Sequence, residues 1–547
     1  MAKKSFIQGA VILGIAGIII KLLGAAFRIP LANMIGDEGM GYYQTAYPIY
    51  VLFLTLATAG IPIAISRMVS ERIAVDNYAG AHKVFRVSFL LMLCIGLISS
   101  AICFFGAETL VEFATRSENY LDVTPAERLL RLNAKYAMMA LGPALFFVPL
   151  QAAYRGYFQG MQNMKPTAAS QVSEQLFRVV VGLGLAYFLM RYGLEYAAAG
   201  ASFGATAGAV VGLLTVGGIY VYKKGGLRGN IERTKNRQEE GCGRILAKIA
   251  LIAIPITIGA AIMPIMNTID VAIVMRRLQD TGYTYEMANS LYGQLTGMAG
   301  PLINFPQVLT QAVAMSLVPA VAAAYKQRDM HFLRENVQLG LRMSIIMGLP
   351  CAFGLMTLAE PIMLLLYPLR QASAVNAASC LFIMAFGVIF LSTIQTLTGV
   401  LQGVGKQMIP VRNIAIGACF KVAVTYYLTG IYEINVKGAA VGTVVAYIIA
   451  AVLNILAVRK YTGVRFDVKL TFFKPLAAAL VMSLCAFAVY FVLAGFMGNA
   501  LATLAAVALA ALVYVLMLFK TNSITREEVA RLPKGGKLVK IIDKFIR

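Results

Sequence analysis

Tryptophan is absent from this sequence, histidine occurs twice, and 25 acidic residues stand against 48 lysines and arginines. The sequence has no HExxH, P-loop or GxSxG pattern, which removes the familiar placements for metal hydrolysis, nucleotide cleavage and acyl transfer. No cluster of carboxylates is set to hold a metal for glycosyl or phosphoryl transfer, so the chain reads as a non-enzyme with no resident cofactor. The seven cysteines form no CxxC pair: Cys94, Cys103, Cys351, Cys380, Cys419 and Cys485 fall in apolar runs and Cys242 in a polar connection. Small buried hydrophobes describe them better than disulfides or metal ligands. Long polar stretches are missing too. The longest, about 107–132 and 223–243, are too short for a catalytic domain.

What fills the sequence is hydrocarbon. It is 59% hydrophobic, and apolar runs of about 18 residues or more recur about 14 times, each a membrane-crossing helix by length. The fold class expected is an all-α polytopic membrane protein. Several runs are interrupted, at Pro30, Pro62, Pro255 and Pro264, as membrane helices tolerate where neighbours or a wet cavity satisfy the backbone.

The net charge of +23 would suggest nucleic acid in a soluble chain, but position explains it without one. With Lys3 and Lys4 assigned to the cytoplasm and the spans alternating, most cations fall on the cytoplasmic side, as the positive-inside rule requires. They include Lys223, Lys224, Arg228, Arg233, Lys235, Arg237, Arg244 and Lys248, and a tail from Lys520 to Arg547. The outer connection 107–132 is net acidic, with Glu108, Glu112, Glu118, Asp122 and Glu127 against Arg116, Arg128 and Arg131. The expected location is a plasma membrane, crossed many times, with both termini inside. The first apolar run ends without a small-x-small cleavage site and reads as a retained span. The tail, with Lys534, Lys537, Lys540 and Lys544 among apolar residues, suits an amphipathic helix on anionic lipid. With no tryptophan, the tyrosines Tyr42, Tyr43, Tyr47 and Tyr50 are the expected interfacial belt.

A shift of about 240–250 residues superimposes one half of the chain on the other. Tyr42 and Gln44 meet Tyr292 and Gln294, Ala64 and Ser66 meet Ala314 and Ser316, and GYFQG from Gly156 meets GVLQG from Gly399. Arg178 then meets Lys421, and GASFG from Gly200 meets GAAVG from Gly438. Each repeat holds about six spans, so the repeats are parallel about an axis along the membrane normal. The division expected is an N-lobe over 1–222, a basic cytoplasmic linker over 223–243, a C-lobe over 244–460, two extra spans over 461–520 and a basic tail over 521–547. Two pseudo-symmetric lobes around a cavity suit alternating access.

Lys21 and Arg28 interrupt the first span seven residues apart, on one helix face, and Arg67 follows in the second span. A cation at bilayer depth costs roughly 3 kcal/mol unless it meets a cavity or a partner. The three are the expected cradle for phosphate or pyrophosphate, with Lys421 adding to it from the second lobe. Glu174 and Arg178, at i and i+4, form either a self-neutralised strut or a gating pair. Asp270, with Asn267 and Thr268, either takes a coupling proton or Na⁺, or pairs with Arg276 or Arg277. Membrane potential is the other candidate energy source. Asn304, Gln307, Gln311 and Gln395 serve sugar hydroxyls or glue helices together.

The segments GAAFRIPLANMIGDEGMGYYQTAYPIY from Gly24, ATAGIPIAISRMVSE from Ala57 and GVLQGVGKQMIP from Gly399 resemble the multidrug/oligosaccharidyl-lipid/polysaccharide exporter superfamily. Within it they are similar to the polysaccharide-transporter branch that holds the lipid II flippases and their sporulation relatives. The resemblance covers essentially the whole chain. It implies a flippase for an undecaprenyl-pyrophosphate-linked cell-wall precursor, acting as a monomer on a lipid-linked oligosaccharide among membrane lipids. It also implies basic residues in the first, second and eighth spans. Arg28 and Arg67 stand where the first two fall, while the eighth span has none and Arg276 and Arg277 precede it. Two other readings remain at this point: a cation-coupled drug exporter of the same superfamily, and a non-transporting scaffold for wall-synthesis enzymes.

Overall fold

The computed structural model describes residues 2–116, 132–232, 234 and 240–523, and these form helices without strands. The outer residues Glu118, Asp122, Glu127, Arg128 and Arg131, the linker residues Arg233, Lys235 and Arg237, and the tail beyond Ser523 lie outside them. Among the described residues twelve helices are long and apolar enough to cross a membrane. Two of these carry a glycine at positive φ, Gly36 at 69° and Gly498 at 73°. A β-carbon disfavours that conformation and a helix cannot continue through it. Ile12–Ile73 and Lys469–Lys520 are therefore each two spans joined at a glycine, which accounts for the larger number expected from hydropathy.

The chain forms two compact units, Met1–Met298 and Ala299–Arg547. The first unit opens with α1 (Ala2–Thr58), bent at Gly36, then α2 (Ile61–Ile73), α3 (Tyr78–Phe105) and the short α4 (Ala107–Thr115). After these come α5 (Ala134–Leu141), α6 (Ala144–Gly160), α7 (Lys165–Leu189), α8 (Leu194–Glu232), α9 (Cys242–Asp280) and α10 (Tyr285–Gly293). The linker expected from 223 onward begins as helix, since α8 runs to Glu232. Its far end is tied down by Glu240, which takes a 2.6 Å contact from Lys248 and a 2.7 Å contact from Arg72. The Lys248 hydrogen bond, with the two cations' charge, holds the Glu240 carboxyl below the ordinary carboxylate range.

The second unit comprises α11 (Gly300–Gln327), α12 (Met330–Thr357), α13 (Ala359–Leu366), α14 (Gln371–Gly403), α15 (Met408–Thr429), α16 (Lys437–Thr462) and α17 (Lys474–Lys520), the last bent at Gly498. Asp329 starts α12 by accepting the Phe332 amide at 3.0 Å, an N-cap that satisfies one of the donors a helix start leaves open.

In the first unit α7 and α8 pack along their length, and the sequence of α8 explains why. Gly200, Gly204, Gly208 and Gly212 recur every fourth residue and so share one face. A β-carbon on Gly208 would lie 2.4 Å from the Glu174 carbonyl oxygen, and one on Gly204 would lie 2.6 Å from that of Arg178. Without side chains on that face the two backbones approach closely, the usual route to tight helix pairing where lipid offers no hydrophobic drive. The approach places α7, with Glu174 and Arg178, at a fixed depth and rotation. In the second unit α15 and α16 repeat the device over a shorter stretch, where a β-carbon on Gly442 would meet the Thr425 hydroxyl at 2.4 Å.

Gly208→Ala is expected to lower stability by about 2 kcal/mol through overpacking. Gly217→Ala, on the same helix with nothing within 4 Å of its added carbon, should be neutral. Thermal unfolding of the two purified variants in one detergent checks the difference.

Candidate functional site

Eight residues before the Gly36 bend, and so about 12 Å along the helix, α1 carries Arg28. The second half of α1 returns with Tyr43, Tyr47 and Tyr50. The guanidinium of Arg28 lies 6.0 Å from the centroid of the Tyr47 ring, and that of Arg178, on α7, lies 5.2 Å from the same ring. Both distances are within cation–π reach. Arg178 also donates to the Tyr43 hydroxyl at 3.1 Å. Tyr43 and Tyr47 stack at 5.5 Å with their planes 15° apart, and Tyr43 and Tyr50 are buried. Arg28, Arg178 and Tyr47 are half-buried. Of the four tyrosines expected as an interfacial belt, Tyr43 and Tyr47 thus hold the two arginines, Tyr50 packs on Tyr47 at 5.9 Å, and Tyr42 donates to Glu38 at 2.9 Å. Their spacing is that of a helix face, which serves either purpose, and only the packing distinguishes them.

Glu174 does not pair with Arg178. Its carboxylate takes Arg155 of α6 at 2.7 Å, a contact with side chains 13% and 27% exposed. The same Arg155 nitrogen reaches Gln151 Oε1 at 2.5 Å and Ser170 Oγ at 2.8 Å. Ser170 in turn donates to the Gly212 carbonyl, and Gln151 to that of Ala209. This network pins α6, α7 and α8 together around one neutralised ion pair. Neither Arg28 nor Arg178 has a carboxylate partner among the described residues, so the cluster keeps its positive charge. Arg155 escaped the sequence reading. Its signal was Gln151 one turn before it on the same face of α6.

The other expected cations lie elsewhere. Arg67 is exposed on α2 and paired with Glu71 at 2.9 Å, so a carboxylate one turn on partners it in place of the expected cradle. Helix rise puts it about 45 Å of chain beyond Gly36, and no contact joins it to Arg28. Lys21 is exposed on α1, one face and seven residues from Arg28, and has interactions of its own. Lys421 is half-buried on α15 in the second unit. On α9 Asn267 is exposed and Asp270 half-buried, while Arg277 pairs with Asp280 at 3.2 Å.

The repeat equivalents Gln44 and Gln294 each bond the segment that carries the other, within the first unit. Gln44 donates to the Thr296 carbonyl at 2.7 Å, Gln294 to Asp37 Oδ2 at 2.7 Å, and Asn289 to the Glu38 carbonyl at 2.8 Å. In the second unit Gln307 donates to Asn304 at 2.9 Å and Gln395 to Gln307 at 3.3 Å, while Thr310 donates to Gln395. That ladder joins α11 to α14, which is the interhelical role.

Comparison with known proteins agrees with this architecture. A family model described as polysaccharide biosynthesis protein matches residues 6–325, and one described as MatE matches 295–427. The chain is 26% identical to stage V sporulation protein B of Bacillus subtilis, over 98% of this chain and all of that protein. It is 24% identical to the lipid II flippase MurJ of the same organism, over 85% of this chain and 84% of that one. Among solved structures, an inward closed lipid II flippase MurJ superimposes with a TM-score of 0.67 at 16% identity, covering 93% of this chain and 98% of that chain. An inward-facing MATE-family multidrug resistance transporter of the MOP superfamily gives 0.64 at 16% identity, over 81% of this chain and 94% of its own.

Glu174→Gln is expected to cost roughly 2 kcal/mol, because it leaves the Arg155 guanidinium in place without its charge partner. Arg155→Met combined with Glu174→Leu should restore part of that loss. Thermal unfolding of the single and double variants provides the readout.

Proposed function

We propose that this chain, which belongs to the polysaccharide biosynthesis protein family, is a flippase that moves a polyprenyl-pyrophosphate-linked cell-wall precursor, lipid II, across the cytoplasmic membrane by alternating access. The observation that carries this reading is the pair of arginines, Arg28 and Arg178, held on one tyrosine ring with no carboxylate partner among the described residues. Two guanidiniums at membrane depth without a counter-charge call for an anion. Pyrophosphate, with several oxygens for bidentate donors, answers that requirement.

The proposed mechanism follows from solvation. A sugar-pyrophosphate headgroup cannot cross hydrocarbon with its polar groups unmatched. Arg28 and Arg178 replace part of its hydration while the prenyl chain stays in the bilayer. Taken by itself, the second unit holds an apolar cavity of about 520 Å³ whose lining, from Leu302 to Val515, contains no charged residue. Asp270 with Asn267 is the proposed coupling site, and Lys21 and Lys421 are proposed to extend the positive lining. The basic connections support an orientation with both termini in the cytoplasm. A cationic drug would need an available carboxylate near the cluster, and Glu174 is already engaged by Arg155.

Arg28→Ala and Arg178→Ala are each expected to reduce rescue of a flippase-depleted strain roughly tenfold, the cost of one charge-assisted contact. The double variant should abolish rescue while inserting at normal abundance. Full rescue by the double variant rejects the cradle.

A further inference from the structure

A second cavity in the Ala299–Arg547 unit, of about 500 Å³, lies among α12, α14, α16 and the 463–473 segment that leads into α17. Its size is that of a small-molecule site, which spans about 300–1,000 Å³. Its interior is hydrocarbon and aromatic, with Ile345, Ile389, Phe390 and Phe472 on the walls. The Thr393 hydroxyl inside donates to the Ile389 carbonyl at 3.0 Å, so it is already spent on its own helix. Arg459 and Arg465 also line this cavity, and they set it apart from the uncharged cavity described above.

Both arginines are exposed, and neither has an ion-pair or side-chain hydrogen-bond partner among the described residues. Their backbones are nonetheless fixed. Gln338 of α12 donates to the Arg465 carbonyl at 2.6 Å, and Arg334 donates to the Thr462 carbonyl at 3.3 Å. Gly463 closes α16 at a φ of 65°, turning the chain so that Arg459 and Arg465 flank one opening. Val452, 47% exposed, and Val468, 56% exposed, line the same cavity, so its mouth opens on an apolar surface. The segment is net basic, with Lys460 after Arg459 and Lys469 four residues beyond Arg465 against one carboxylate, Asp467, which accepts the Leu470 amide. Under the positive-inside rule this end meets the cytoplasmic leaflet, where anionic lipids reside.

We infer that this cavity is a binding site for an anionic phospholipid of the cytoplasmic leaflet. One acyl chain fills the apolar interior, and the phosphodiester sits between Arg459 and Arg465. Basic pockets between membrane helices on the cytoplasmic side take anionic headgroups for this electrostatic reason, and guanidinium suits phosphate oxygens better than ammonium. The site is separate from the Arg28–Arg178 cluster and does not depend on the transport reading.

The absence of tryptophan makes the test direct. Phe472→Trp places a single fluorescent reporter on the cavity wall. The full chain is reconstituted in phosphatidylcholine vesicles doped with phosphatidylglycerol brominated on its acyl chains, or with equally brominated phosphatidylcholine. Quenching is expected to favour phosphatidylglycerol. Arg459→Gln with Arg465→Gln should weaken that preference about tenfold or more, from two cations near the headgroup plane. Arg28→Ala with Arg178→Ala should leave it intact. Equal quenching by the two lipids, or a preference unchanged in the double Gln variant, overturns the proposal. So does quenching by brominated undecaprenyl phosphate that phosphatidylglycerol cannot displace, which assigns the cavity to a prenyl chain. If the tryptophan variant fails to fold, native mass spectrometry of the unlabelled chain decides by the same criterion: phosphatidylglycerol adducts should persist and be lost in the double Gln variant.

Discussion

Glu174 stands one helical turn from Arg178, yet gives its carboxylate to Arg155 on the neighbouring helix. The electrostatics of the first unit follow from that partner. Had the pair closed within α7, the helix would be locally neutral and Arg155 would be the cation left over among Gln151 and Ser170. Instead neutralisation happens between α6 and α7, where it also holds three helices together. The excess positive charge is moved to the tyrosine side, onto Arg178 and Arg28. Phenol rings stabilise guanidinium through their faces and hydroxyls without cancelling its charge. The cluster is therefore structurally satisfied and still able to attract an anion.

Much of the fold was legible because a membrane leaves few options. Apolar runs of sufficient length must be helices, and the runs in this sequence became the observed spans. Gly36 and Gly498 divide two continuous helices at turns that hydropathy alone places only loosely. Two residues that the repeat pairs, Gln44 and Gln294, lie in one crossing, where each bonds the segment carrying the other. The arginine–tyrosine cluster was only partly legible. Arg28 stood out as a cation in hydrocarbon, but Arg67 looked the same on paper and proved to be an exposed i,i+4 pair with Glu71. Spacing shows which residues share a helix face, and it does not show what that face meets. For the same reason the tyrosines suggested an interface, and Arg155 passed unnoticed.

Comparing the repeats shows which properties belong to the scaffold and which to one copy. Both units pair two helices through closely approaching glycines, at Gly204 and Gly208 in the first and Gly442 in the second. The chemistry carried on the scaffold differs. The first unit has the ion pair of Arg155 with Glu174, whereas the second has amide and hydroxyl ladders, Gln307 with Gln395 and a buried contact of Asn413 with Asn454 at 2.8 Å. The close backbone approach is common to both units, and the side-chain chemistry built on it is not.

Gly36 joins the halves of α1 through one residue outside helical geometry. Arg28 belongs to one half and Tyr47 to the other. No helical hydrogen bond has to break for the angle between them to change, because the ladder is already interrupted there. The distance from guanidinium to ring is thus set by a single pair of backbone torsions and the packing around them. That packing is specific, since Asp37 and Glu38 directly after the joint accept Gln294 and Asn289, so an angle that no helical ladder enforces is set by side chains of another helix.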